Sequence, residues 1–69
     1  MTKTPLLKDY IKRSGYKITH LAQQLGITEH SMSRKINGKN EFKASEIDVL
    51  CKLLKIGIKD RMAIFFANE

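Results

Sequence analysis

The stretch ITHLAQQLGITEHSMSRKIN, residues 18–37, decides the fold. Ile18, Leu21, Ala22 and Leu25 recur at offsets of three and four, which lines them along one face of a helix. Gly26 then stops that helix, because glycine adopts the left-handed conformation without a Cβ clash. Only two residues separate Gly26 from the next start, where the Thr28 hydroxyl is placed to cap free amides. The connection is therefore tight, and the small Ala22 one turn earlier lets the two helices cross steeply.

Leu-Ala-x-x-Leu-Gly by itself is a common helix end in all-α proteins. The segment that follows separates this chain from that general case. Glu29, His30 and Ser31 make a polar first turn, while Met32 and Ile36, with Ile27 leading in, supply one narrow apolar stripe. A core helix buries more than that. A helix with a bare, hydrogen-bonding N-terminal turn suits insertion into the major groove, so the pair reads as a helix-turn-helix and points to DNA.

Charge agrees with that reading. The chain has 69 residues and a formal net charge of +6, and residues 1–43 hold nine Lys/Arg against Asp9, Glu29 and Glu41, whereas residues 44–69 hold four of each sign. A polyanion would draw in the first part and leave the second free. The length suits one domain spanning 1–69, burying only about 60% of its unfolded surface. Cys51 is the single cysteine; it forms no zinc spacing with His20 and His30 and reads as a small core residue. No apolar run approaches the roughly 18 residues of a membrane span, and no signal-peptide stretch opens the chain, so a cytoplasmic protein is expected. Paired carboxylates, a Ser-His-Asp set, a phosphate-cradling glycine loop and a metal cluster are all missing from the pattern, which argues against an enzyme and against a cofactor or small-molecule substrate.

Outward from the central stretch, Thr4-Pro5 reads as a start signal with Thr4 as cap, opening a helix to about Ser14. Leu6, Leu7, Tyr10 and Ile11 form its apolar stripe and Lys8, Lys12 and Arg13 its wet side. Lys17 is a poor cap for the second helix. Asn37-Gly38 is the strongest turn dipeptide, but no alternating strand pattern flanks it, so the loop to Glu41 joins helices. Phe42 anchors its far end. Ser45 is the expected cap of a fourth helix carrying Ile47, Leu50, Cys51 and Leu54, with Glu46 too near it for a capping box. Gly57 breaks that helix, and residues 59–67 form a fifth with Met62, Phe65 and Phe66 on one side. Either both phenylalanines complete the core or one stays exposed for a partner, most simply a second copy.

Leu21-Ala22-x-x-Leu25-Gly26-Ile27-Thr28 followed by Ser31-Met32-Ser33-Arg34-Lys35-Ile36-Asn37-Gly38-Lys39 resembles the helix-turn-helix of the lambda-repressor and Cro family of phage and bacterial regulators. The resemblance implies an all-α, compact five-helix domain with the helix-turn-helix at helices two and three. It also implies dimeric binding to double-stranded operator DNA, often in a lysogeny switch within a bacterial host. At this length the chain resembles a Cro-type or modulator protein more than a full repressor. Three positions depart from the family pattern: Ile18 stands where a phosphate-binding Gln is common, Lys35 stands where an apolar residue is usual, and Glu29 opens the exposed face of helix three.

On the DNA-binding reading, Glu29, His30, Ser31 and Arg34 face base edges, with Arg34 matched to guanine O6 and N7 and Glu29 to cytosine N4. Ser33, Lys35, Lys39, Asn40 and Lys43 are the candidates to hold phosphates. The rival reading is a protein-interaction module, an antirepressor or modulator that pairs with a related phage repressor through the same scaffold. Ile18 and Glu29, an apolar and an acidic group where a DNA reader wants donors, favour that rival.

Overall fold

A computed structural model describes residues 2–66. The chain forms α1 (Thr4–Ser14), α2 (Ile18–Leu25), α3 (Glu29–Ile36), α4 (Ala44–Leu54) and α5 (Ile58–Arg61), and α5 runs on into a π-helical turn at Met62–Phe66. No strand occurs among the described residues. The fold is the expected compact, all-α arrangement of five helices. No helix is long and apolar enough to cross a membrane.

One side chain from each of the first four helices and one from the C-terminal turn meet at the centre: Leu7, Leu21, Met32, Leu50 and Ile64 have no exposed surface. Each is worth roughly 1.5–3 kcal/mol of burial. Cys51 lies among them as a buried free thiol, and burial pushes its pKa up. Phe42 anchors the loop as expected, its ring edge-on to Phe65 with centroids 5.6 Å apart.

α2 packs most closely on α3, and the turn between them follows the expected chemistry. Gly26 has φ 72°, its amide donates to Gln23 O at 3.1 Å and the Ile27 amide to Ala22 O at 3.0 Å, which satisfies two end carbonyls of α2. Thr28 Oγ1 then accepts from the Ser31 amide at 3.0 Å and caps α3. α2 itself begins without a side-chain cap at Lys17.

Three expectations are corrected. Thr4 does not cap α1: it is the first helical residue after Lys3, with no side-chain cap bond, and its methyl lies 3.2 Å from where a Cβ on Gly38 would stand. Ser45 does not cap α4 either. That helix starts at Ala44 behind Lys43, which makes Glu46 the third helical residue, and Glu46 Oε1 accepts from the Lys43 amide at 2.8 Å. At the C-terminus, α5 buries none of its own residues, and the π-helical turn shifts the phase so that Ile64 and Phe65 point inward while Met62 and Phe66 stay 54% and 47% exposed. The two phenylalanines thus divide between core and surface, and the expected end of this helix at Ala67 lies outside the described residues.

Because α5 contributes no core residue, polar ties hold it. The Tyr10 hydroxyl donates to the Asp60 carboxylate, and Arg61 meets Asp48 of α4 at 3.6 Å. The Lys3 amide donates to Ile64 O at 2.8 Å, joining the two ends of the fold.

Ala22 is 3% exposed, so a larger side chain has no room there. Ala22→Leu is expected to destabilise the domain by about 1–3 kcal/mol through overpacking. The thermal midpoint should fall by more than about 4 °C; calorimetry returning the wild-type midpoint would show that α2 has slack at this position.

Candidate nucleic-acid interface

α3 presents two unlike faces. Met32, Lys35 and Ile36 are buried, whereas Glu29, His30, Ser33, Arg34 and, just past the helix, Asn37 are exposed. Ser31 is half-buried, with its amide taken by the Thr28 cap. The exposed set therefore contains three of the four expected base readers in full, and places Ser33, expected on the phosphate side, on the same face.

Arg34 is held from two sides. Its carbonyl accepts from the Lys39 amide at 2.9 Å. With the Asn40 amide turned to satisfy both its ends, Asn40 oxygen accepts from Arg34 Nε at 3.3 Å and its nitrogen donates to Lys39 O at 2.8 Å. One edge of the guanidinium is thereby steadied, and both terminal nitrogens remain to make a bidentate pair. In this arrangement Asn40 serves to position Arg34. Lys39 and Lys43 are exposed on the loop that follows α3, Lys43 at its far end.

Lys35 is the corrected residue of the candidate phosphate set. Its side chain is 11% exposed and its Nζ lies 2.6 Å from Glu46 Oε1, itself on a side chain only 7% exposed. A lysine in this position cannot reach a phosphate without breaking the pair. Its methylenes fill the apolar place between α3 and α4, and its charge is met by the one acid that α4 buries. Burial, the largest influence on Glu46, pushes its pKa up, but the Lys35 hydrogen bond, the Lys43 amide and both lysine charges together hold it below the usual carboxylate value.

Near this face Lys8, Lys12 and Asn37 carried no functional signal in the sequence. With Ile18 at the start of α2 and Ser33 near the end of α3, they surround one cleft of about 280 Å³. Lys8 and Lys12 looked like an ordinary solvated helix side, and only the packing of α1 on α3 brings them there. Asn37 looked like half of a turn dipeptide; its Nδ2 donates to Ser33 O at 2.9 Å and closes α3. Beside Ile18, the Tyr16 and His20 rings stack with centroids 5.0 Å apart. Among the described residues no group of three or more His, Cys, Asp or Glu side chains is arranged to hold a metal.

A family model described as the Cro/C1-type HTH DNA-binding domain matches residues 7–64. The chain matches no curated protein and no solved structure.

The Lys35–Glu46 pair makes a stability prediction with a definite sign. Glu46→Gln keeps an acceptor for the Lys43 amide but strands a buried ammonium, and should cost about 3 kcal/mol at neutral pH. Because the folded pKa of Glu46 is depressed, its contribution is complete above the unfolded value near 4.5 and disappears as pH falls through the lower folded value. Urea denaturation from pH 7 down to pH 3 should show wild type and Glu46→Gln converging in acid. Parallel curves across that range would contradict the assignment.

Proposed function

The chain belongs to the family of Cro/C1-type HTH DNA-binding domains, and from that we propose that it is a sequence-specific transcriptional regulator of the Cro-repressor type. The family supports DNA binding as such. The finer reading, a repressor in a phage lysogeny switch acting in the cytoplasm of a bacterial host, is our inference. The observation that carries direct base readout is the face of α3, where Glu29, His30, Ser33 and Arg34 are exposed together within the basic part of the chain.

In this reading Arg34 pairs with guanine O6 and N7, Glu29 accepts from cytosine N4, and His30, Ser31 and Ser33 complete the contacts to the groove. Lys39 and Lys43 neutralise phosphates on the flank and set the docking angle, with Asn40 beside them. Arg34→Ala should leave the fold intact, cost about 1–3 kcal/mol at the preferred site, and relax selection at one base pair. Lys39→Ala should instead weaken all duplexes alike and lower the salt slope by about one unit. Selection from a randomised duplex library, repeated with each variant over a salt series, reads both effects. A folded wild-type chain that selects no sequence would overturn direct readout and favour the modulator reading, in which a related phage repressor is the partner.

Dimerisation is part of the proposal. Ile58, Met62 and Phe66 are 81%, 54% and 47% exposed and follow one another at intervals of four, along one side of the C-terminal helix. Apolar side chains so arranged support a self-complementary interface. Residues 44–69 are formally neutral, so two copies meeting there escape the repulsion of their basic parts. Such a pair would present two α3 helices to half-sites about one turn of DNA apart. Met62→Glu should convert a dimer to a monomer in sedimentation equilibrium while keeping helical content, and should weaken a palindromic site more than a half-site. A wild type that stays monomeric at the concentrations where it binds DNA would remove this interface.

A further inference from the structure

A groove between α1 and the starts of α2 and α3 lies beside the α3 face and is chemically unlike it. Its deeper part is the cleft of about 280 Å³, with an aliphatic floor and a cationic rim. Ile11 and Ile36 are buried and Ile18 is half-buried, whereas Lys8 and Lys12 stand exposed above them. A shallower part shares Ile11, Lys12 and Ile18 and continues past Tyr16 and Lys17 to Glu29. Neither Lys8 nor Lys12 has an ion-pair partner among the described residues.

We propose that this groove docks an acidic protein segment, seating one aliphatic or aromatic side chain on Ile11, Ile18 and Ile36 while flanking carboxylates meet Lys8 and Lys12. The floor decides against a phosphate backbone as the occupant, since a charged phosphodiester seated on three isoleucines would give up its hydration to a surface with no donor. The rim decides against a second copy of this chain: its residues 1–43 are strongly basic and would repel the lysines, and its residues 44–69 are formally neutral, with no excess of acid to meet them. An acidic segment with one apolar anchor satisfies both. Ser33 and Asn37 close the α3 side of the cleft, so an occupant lies next to Arg34 and competes with DNA. That last clause rests on the DNA-binding reading; the docking itself does not.

The test uses the intact chain and a fluorescein-labelled peptide with one central leucine between paired acidic residues, followed by polarisation at low salt without DNA. Saturable binding is expected, weaker by about tenfold when serine replaces the leucine and by about fivefold in Lys8→Ala/Lys12→Ala. Both lysines are exposed, so circular dichroism should report an unchanged fold, and amide shifts in a heteronuclear spectrum should cluster at Lys12, Ile18 and Ser33. Equal affinity for the leucine and serine peptides, or a double variant that binds as wild type does, would overturn the proposal. So would shifts confined to α4 and α5. A separate titration with duplex DNA distinguishes the two readings: peptide binding with no duplex binding removes only the competition, and duplex binding that needs Lys8 and Lys12 with no peptide binding gives the groove to nucleic acid.

Discussion

One carboxylate oxygen organises the basic side of this domain. Glu46 Oε1 receives Lys35 Nζ at 2.6 Å and the Lys43 amide at 2.8 Å, so a single buried acid fixes the end of α3, the far end of the loop and the start of α4. α3 otherwise leans on α2 and α1, and this pair carries it to α4. A buried ion pair contributes little net stability, because desolvation consumes most of the Coulombic gain, yet removing one partner is costly. That asymmetry makes the pair a constraint on geometry. An apolar residue at position 35 would fill the same space without requiring any one placement of Glu46.

The consequences reach the exposed face. With both ends of the loop set, the Lys39 amide can meet the Arg34 carbonyl and the Asn40 amide can reach Arg34 Nε. Gly38 belongs to the same arrangement, with φ 78° and the Thr4 methyl against it; a side chain there would be strained by the left-handed backbone and tight against that methyl. α3 is thus held at its start by Thr28 and Gly26 and at its end by Glu46, Lys39 and Asn37. Rigid support of this kind limits the entropy lost when long side chains such as Arg34 are ordered by a ligand.

The helix-turn-helix was legible because its signals are local. The spacing of Ile18, Leu21, Ala22 and Leu25, the stop at Gly26 and the cap at Thr28 each act within one or two turns, and each recurs in the fold. What escaped reading is tertiary. Lys35 looked like a surface charge because nothing near it in sequence shows that Glu46, eleven residues on, would be buried opposite it. Lys8 and Lys12 became part of a groove only when α1 met α3. At the C-terminus the period itself changes: a π-helical turn has no sequence rule as plain as the 3.6 spacing, so Met62, Phe65 and Phe66, which that spacing puts on one side, divide between surface and core.

The buried pair also changes how the charge of this chain should be weighed. Lys35 and Glu46 cancel inside the protein, and Arg13 is met by Asp9 at 2.9 Å on α1. The remaining outward cations of residues 1–43 with no such partner among the described residues are Lys8, Lys12, Lys17, Arg34, Lys39 and Lys43, drawn from α1, the start of α2, α3 and the following loop. They surround the α3 face on several sides, which suits collective attraction of a polyanion, an effect that depends on their number and falls with salt. Selection among sequences cannot come from that ring, because a phosphate carries no base identity. On the proposed reading it comes from the few side chains inside it, and among these Arg34 has both the fork geometry to pair with a base and neighbours that hold it in place.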